Sequence, residues 1–152
     1  MSQTSSFATL VTLRRLLLGI LLFGLVGTAT ELLLIGHDED AWQVIPLVVL
    51  AIAILASLWM VTTRFTRSTP ATPLFRAAMV LLMLSGAMGS VLHYRANMEF
   101  KLDMDPSIGG FALFSSVVQA KSPPALAPGN MALLGLLGLA CAFRLDVQPP
   151  KR

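Results

Sequence analysis

Apolar residues in this chain come in long unbroken runs, not in the alternation of a strand or the stripe of a surface helix. Four runs stand out, at about 16–36, 44–63, 77–97 and 126–143. A helix needs about 20 mostly apolar residues to cross the hydrocarbon core of a bilayer. The first run carries one internal acid, Glu31, and the second carries no charge. The fourth, opening around Pro124 to Pro128, is the shortest. Backbone groups left unpaired in lipid are costly, so such runs are expected as helices. A β-barrel would need alternating segments of about 10 residues, and these runs do not alternate. The pattern predicts an all-α integral membrane protein: one domain over 1–152, with four transmembrane helices.

The polar intervals predict the connections. GHDEDAW (36–42) is a turn between the first two helices, and TRSTPAT (66–72) is a turn on the opposite side. Pro46 falls in the first turn of the second helix, where a missing N–H costs little. The longest interval, 98–123, contains SIGGFALFSSVVQA (107–120), which is uncharged and too short to span. It reads as a short helix lying at the membrane interface.

Composition narrows the class. Hydrophobic residues make up 55% and charged residues 12%. Soluble domains carry about 25% charge, so a soluble core is not expected. The single Cys141 excludes an intrachain disulfide and a CxxC motif. The net charge of +3 would suggest nucleic acid only if its charges clustered. They lie at the ends of the apolar runs instead, so no nucleic-acid partner is expected.

Those charges orient the chain, because Lys and Arg collect on the cytoplasmic side. With the N-terminus inside, the inner segments hold Arg14, Arg15, Arg64, Arg67, Arg76, Arg144, Lys151 and Arg152. The outer segments hold only Arg95, Lys101 and Lys121. Both termini are therefore expected to be cytoplasmic. Trp42 and Tyr94 then fall at the outer interface and Trp59 near the inner one, as an aromatic belt would have them. A competing reading takes the first run as a signal peptide cleaved near Gly27-Thr28-Ala29. Apolar residues continue through Leu32 to Ile35, which favours a retained span.

Small residues mark where membrane helices approach one another. In the first run Gly24, Gly27 and Thr28 form such a patch, and Glu31 follows at helical spacing. In the third, Ser85, Gly86, Gly89 and Ser90 form another, extended by His93 and Asn97. If the two patches pack together, Glu31 and His93 meet as a buried polar pair. That pairing is expected because an isolated charged side chain at the bilayer centre costs about 2.5–3.5 kcal/mol on insertion scales.

The outer end also gathers candidate ligands. His37, Asp38, Asp40, Tyr94, Arg95, Asn97 and Glu99 form the expected rim, with Glu39, Asp103 and Asp105 nearby. Imidazoles with carboxylates suit a divalent metal, for which His37, His93 and Glu31 are the candidates. The spacing is not a ligand code, however: neither HxxxH nor HExxH occurs. GxSxG, P-loop and GxGxxG patterns are also absent, so no catalytic residue is named. The leading expectation is a non-enzymatic accessory or interaction subunit of a bacterial inner membrane, contacting other membrane subunits or its own copies. The second is a protein that handles a cation or proton through Glu31 and His93. The third is a membrane enzyme with an outer-leaflet site.

Overall fold

The computed structural model describes residues 3–37, 39, 41–63, 71–120 and 126–143. These fold into five helices: α1 (Gln3–Leu34), α2 (Ala41–Thr62), α3 (Ala71–Met104), α4 (Gly110–Val118) and α5 (Ala127–Cys141). No strand occurs among the described residues. Three segments are long and apolar enough to cross a membrane: Ala8–Leu34, Ala41–Thr62 and Thr72–Met104. Helix α5 is apolar but has 15 residues. At about 1.5 Å per residue that is roughly 22 Å, short of the roughly 30 Å hydrocarbon core.

The helix boundaries move in instructive ways. The third run begins near 71 and ends at 104, well beyond 77–97. Pro73 does not prevent this, because it lies in the first turn. The helix stops where Asp105 precedes Pro106, since the residue before a proline is pushed out of the α region. The second run starts at Ala41, which moves Pro46 out of the first turn into the second. Gln43 secures that helix start, its side-chain oxygen accepting the Glu39 N–H at 3.1 Å. The short helix expected over 107–120 is shorter, spanning Gly110 to Val118.

The outside of the bundle is as apolar as its interior. Phe23 is 83% exposed, and Ile20, Leu55, Leu84, Met88 and Leu133 are also exposed. A helix that is hydrophobic all round belongs either in a large core or in lipid. A chain of 152 residues has no large core to offer.

Contacts between helices close a ring. Helix α3 packs on α2 and α5, and α1 packs on the same two, so α1 and α3 face each other across the diagonal. The expected meeting of the first and third small-residue patches therefore does not occur. Helix α5 takes that place, because it is built to approach both neighbours closely. A Cβ on Gly86 would stand 2.5 Å from the Ala132 nitrogen and the Pro128 oxygen. A Cβ on Gly135 would stand 2.7 Å from the Met79 oxygen and the Met83 nitrogen. On the other side, Gly24 receives Leu134, and Thr28 accepts a hydrogen bond from Asn130 Nδ2 at 2.6 Å.

Two arginines fix the far end of α5. Arg14 donates to the Phe143 carbonyl at 2.8 Å, and Arg76 donates to the Ala142 carbonyl at 2.9 Å. Carbonyls at a helix C-terminus lack intrahelical partners and carry partial negative charge, which guanidinium groups complement. Beyond the level of α5's first turn, α3 runs on to Met104. After the turn at 105–109, α4 folds back against it. Val117 of α4 is fully buried, and Phe114 lies 6.3 Å from the Tyr94 ring.

Candidate functional site

The short α5 leaves a gap at the end of the bundle that carries the 36–42 turn. Pro128 sits level with Gly86 and Gly89 of α3, and Asn130 sits level with Thr28 of α1. Helix α1 continues to Leu34, six residues or about 9 Å further. Helix α3 continues much further still. A cavity of about 530 Å³ fills this space, enclosed by α1, α2 and α3 and floored by the start of α5. Its lining is mainly apolar, with Trp42, Pro46, Leu92, Leu126 and Met131 among the walls. Its polar residues are Glu31, His37, Gln43, Ser85 and His93.

Each polar residue arrives by a traceable route. His93 continues the buried stripe of α3 that runs through Phe75, Met79, Leu82 and Gly86 at helical spacing. His37 is placed by the end of α1. Gly36 takes φ +69°, the His37 N–H donates to the Leu32 carbonyl at 2.9 Å, and the Gly36 N–H donates to the Leu33 carbonyl at 3.2 Å. These paired bonds around a left-handed residue are a Schellman C-cap. The cap turns the chain sharply and leaves His37 facing His93. The ring centroids lie 6.4 Å apart, with planes inclined by 22°.

Glu31 arrives differently. The buried stripe of α1 runs through Leu18, Leu21, Leu25, Thr28 and Leu32. Glu31 lies one residue from Leu32, about 100° round the helix, and is exposed at the cavity's edge. Gly27, on the same side, has no atom within 4 Å of a built Cβ. The first patch thus divides, with Gly24 and Thr28 facing α5 and Gly27 and Glu31 facing outward. Glu31 and His93 share a cavity, and the His93 ring stacks on that of His37.

The remaining expected rim residues are distributed more widely. Tyr94 packs on α4, while Arg95 and Glu99 are exposed, and these residues lie outside the cavity lining, as does half-buried Asn97. Asp38 and Asp40 lie outside the described residues. Among the described residues, no group of three or more His, Cys, Asp or Glu side chains is placed to hold a metal ion.

Sequence reasoning singled out Ser85 as part of the third run's small patch but did not single out Gln43 or Asn130. Asn130 carried the clearest signal, a lone amide beside Pro128 and Gly129 at the start of an apolar run. A polar group there is expected to bond across helices. Comparison with protein-family models, with curated proteins and with solved structures gives no match for this chain.

Proposed function

We propose that this chain is a small multi-pass protein of a bacterial inner membrane, acting as a non-enzymatic accessory or interaction subunit whose outer end receives a ligand or partner. Both termini are placed in the cytoplasm, and α5 is counted as a fourth helix within the bilayer. The observation that carries the reading is the cavity built jointly by α1, α2, α3 and α5. A mainly apolar hollow with a few convergent polar groups is the usual form of a binding site.

The test is purification under mild detergent from native membranes. A stoichiometric membrane partner, lost when the cavity mouth is blocked by Ala96→Phe, is the expected result. A protein that migrates alone, unchanged by the substitution, would count against it. A second reading, in which the outer end handles a cation or proton, draws on the facing His37 and His93 rings with Glu31 at the edge of the same cavity. It predicts metal retention, or proton uptake into vesicles, that Glu31→Gln and His93→Ala abolish. Purified protein that holds no metal and moves no protons in either form would remove it.

A further inference from the structure

The cavity has a window, and the window has a chemistry. Because α1 and α3 make no close backbone contact and α5 starts about 4.5 Å below the end of α1 and far below the end of α3, no described helix forms the fourth wall at that level. Among the described residues the side between α1 and α3 is left uncovered there, with exposed Ile35 on one flank and exposed Leu92 and Ala96 on the other. In the placement proposed above, that opening faces the acyl chains of the outer leaflet. A molecule entering by this route comes from lipid and carries an apolar part.

The head it carries is constrained by the polar lining. The lining includes hydrogen-bonding groups that can donate, the Ser85 hydroxyl and the ring nitrogens of His37 and His93. The backbone N–H of Ala127, at the first position of α5, adds to these, with no side-chain cap bond at the Leu126 N-cap. Among the described residues the lining contains no Lys or Arg, and it contains the carboxylate of Glu31. Phosphate heads are normally held by Arg, Lys or converging charge-assisted donors, so an anionic phospholipid is a poor match. A volume of about 530 Å³ suits a single head with the first part of one chain.

We infer that the cavity binds an uncharged amphiphile, drawn laterally from the outer leaflet, whose head accepts hydrogen bonds from His93 and its neighbours. A quinone carrying an alkyl tail and a diacylglycerol share this chemistry. The inference rests on the membrane placement proposed above and not on any partner protein.

The experiment uses the full chain in nanodiscs, with Trp59→Phe leaving Trp42, a lining residue, as the fluorophore. Titration with a decyl-substituted benzoquinone should quench Trp42 saturably. Dioctanoylglycerol, titrated alone or as competitor, tells which source is preferred. Saturable binding of either probe, weakened about ten-fold or more by His93→Leu and by Ala96→Phe, supports the inference. Ala96 is exposed, so filling the mouth there leaves the packed core intact. The inference is overturned if neither probe saturates, if both variants bind like the parent, or if phosphatidylglycerol displaces the probes at lower concentration. Brominated lipid separates the two levels of failure. If it quenches Trp42 while neither probe binds, only the cavity inference falls. If it fails to quench Trp42, the bilayer placement falls as well.

Discussion

Single residues in this protein do different work from what their chemistry first suggests. Gly36 matters through its left-handed φ of +69°. A side chain there costs roughly 1–2 kcal/mol. Gly36→Ala should therefore lower the thermal midpoint in detergent, whereas Gly19→Ala, at an exposed helical position with nothing within 4 Å, should not. A Gly36→Ala protein as stable as the parent would show that the cap is dispensable. Asp105 accepts bonds from the Ser107 hydroxyl at 2.6 Å and the Ser107 N–H at 3.0 Å, closing the turn after α3. Those bonds, the hydroxyl's foremost, favour the ionised carboxylate and hold its pKa below the usual value. A depressed folded pKa stabilises the turn above the ordinary aspartate range, about 3.9. That support is lost as pH falls through the lower folded value. Ser107→Ala should raise the Asp105 pKa, seen by carboxyl NMR titration, and should weaken the turn at neutral pH but not below the folded pKa, where the carboxyl is protonated in both proteins.

At the scale of elements, α5 decides the packing. Gly135 and Gly86 let its backbone lie against α3, where a Cβ would meet backbone atoms that cannot swing aside. Overpacking of this kind costs about 1–3 kcal/mol. Gly135→Ala should destabilise clearly, and Gly27→Ala, facing open space, should be neutral or slightly stabilising. Equal effects at the two sites would contradict the ring arrangement. The arginines at the other end make a separate prediction. Cys141 is buried in the last turn of α5, beside the carbonyls that Arg14 and Arg76 hold. Hydrogen bonds to charged donors contribute about 1.5–3 kcal/mol each when buried, and less at an exposed site such as that of Arg14. Replacing both with methionine should fray this turn and speed maleimide labelling of Cys141. An unchanged labelling rate would deny them the role.

For the whole molecule, the proposed orientation makes one firm demand. In a Cys141→Ser background, Ser107→Cys in the turn after α3 should react with an impermeant maleimide from outside intact cells. Thr62→Cys at the end of α2 should react only after permeabilisation. The reverse pattern would invert the topology and place the cavity on the cytoplasmic side. Much of the architecture at this scale was legible from the chain. Unbroken apolar runs give helices wherever backbone hydrogen bonds must be satisfied locally, so the helical elements and their apolar exteriors follow from 16–36, 44–63 and 77–97. The site was legible in part. His37 and His93 were picked out as polar residues beside apolar runs, and both line the cavity. Gln43 and the role of α5's start as the cavity floor were not, because their importance depends on what stands opposite them.

The division has a physical basis. Helix formation, apolar exposure and the glycine-capped turn at 36 are local, set by residues a few positions apart, and the sequence by itself determines them. Which small face meets which is a long-range choice among similar glycine patches. Gly24, Gly86, Gly89, Gly135 and Gly138 could pair in several ways, since lipid tails provide no hydrophobic drive to rank them. Only the tertiary structure placed α5 between α1 and α3. That placement divided the first patch, left Glu31 at an edge instead of in a core, and opened a cavity above a helix too short to fill the space.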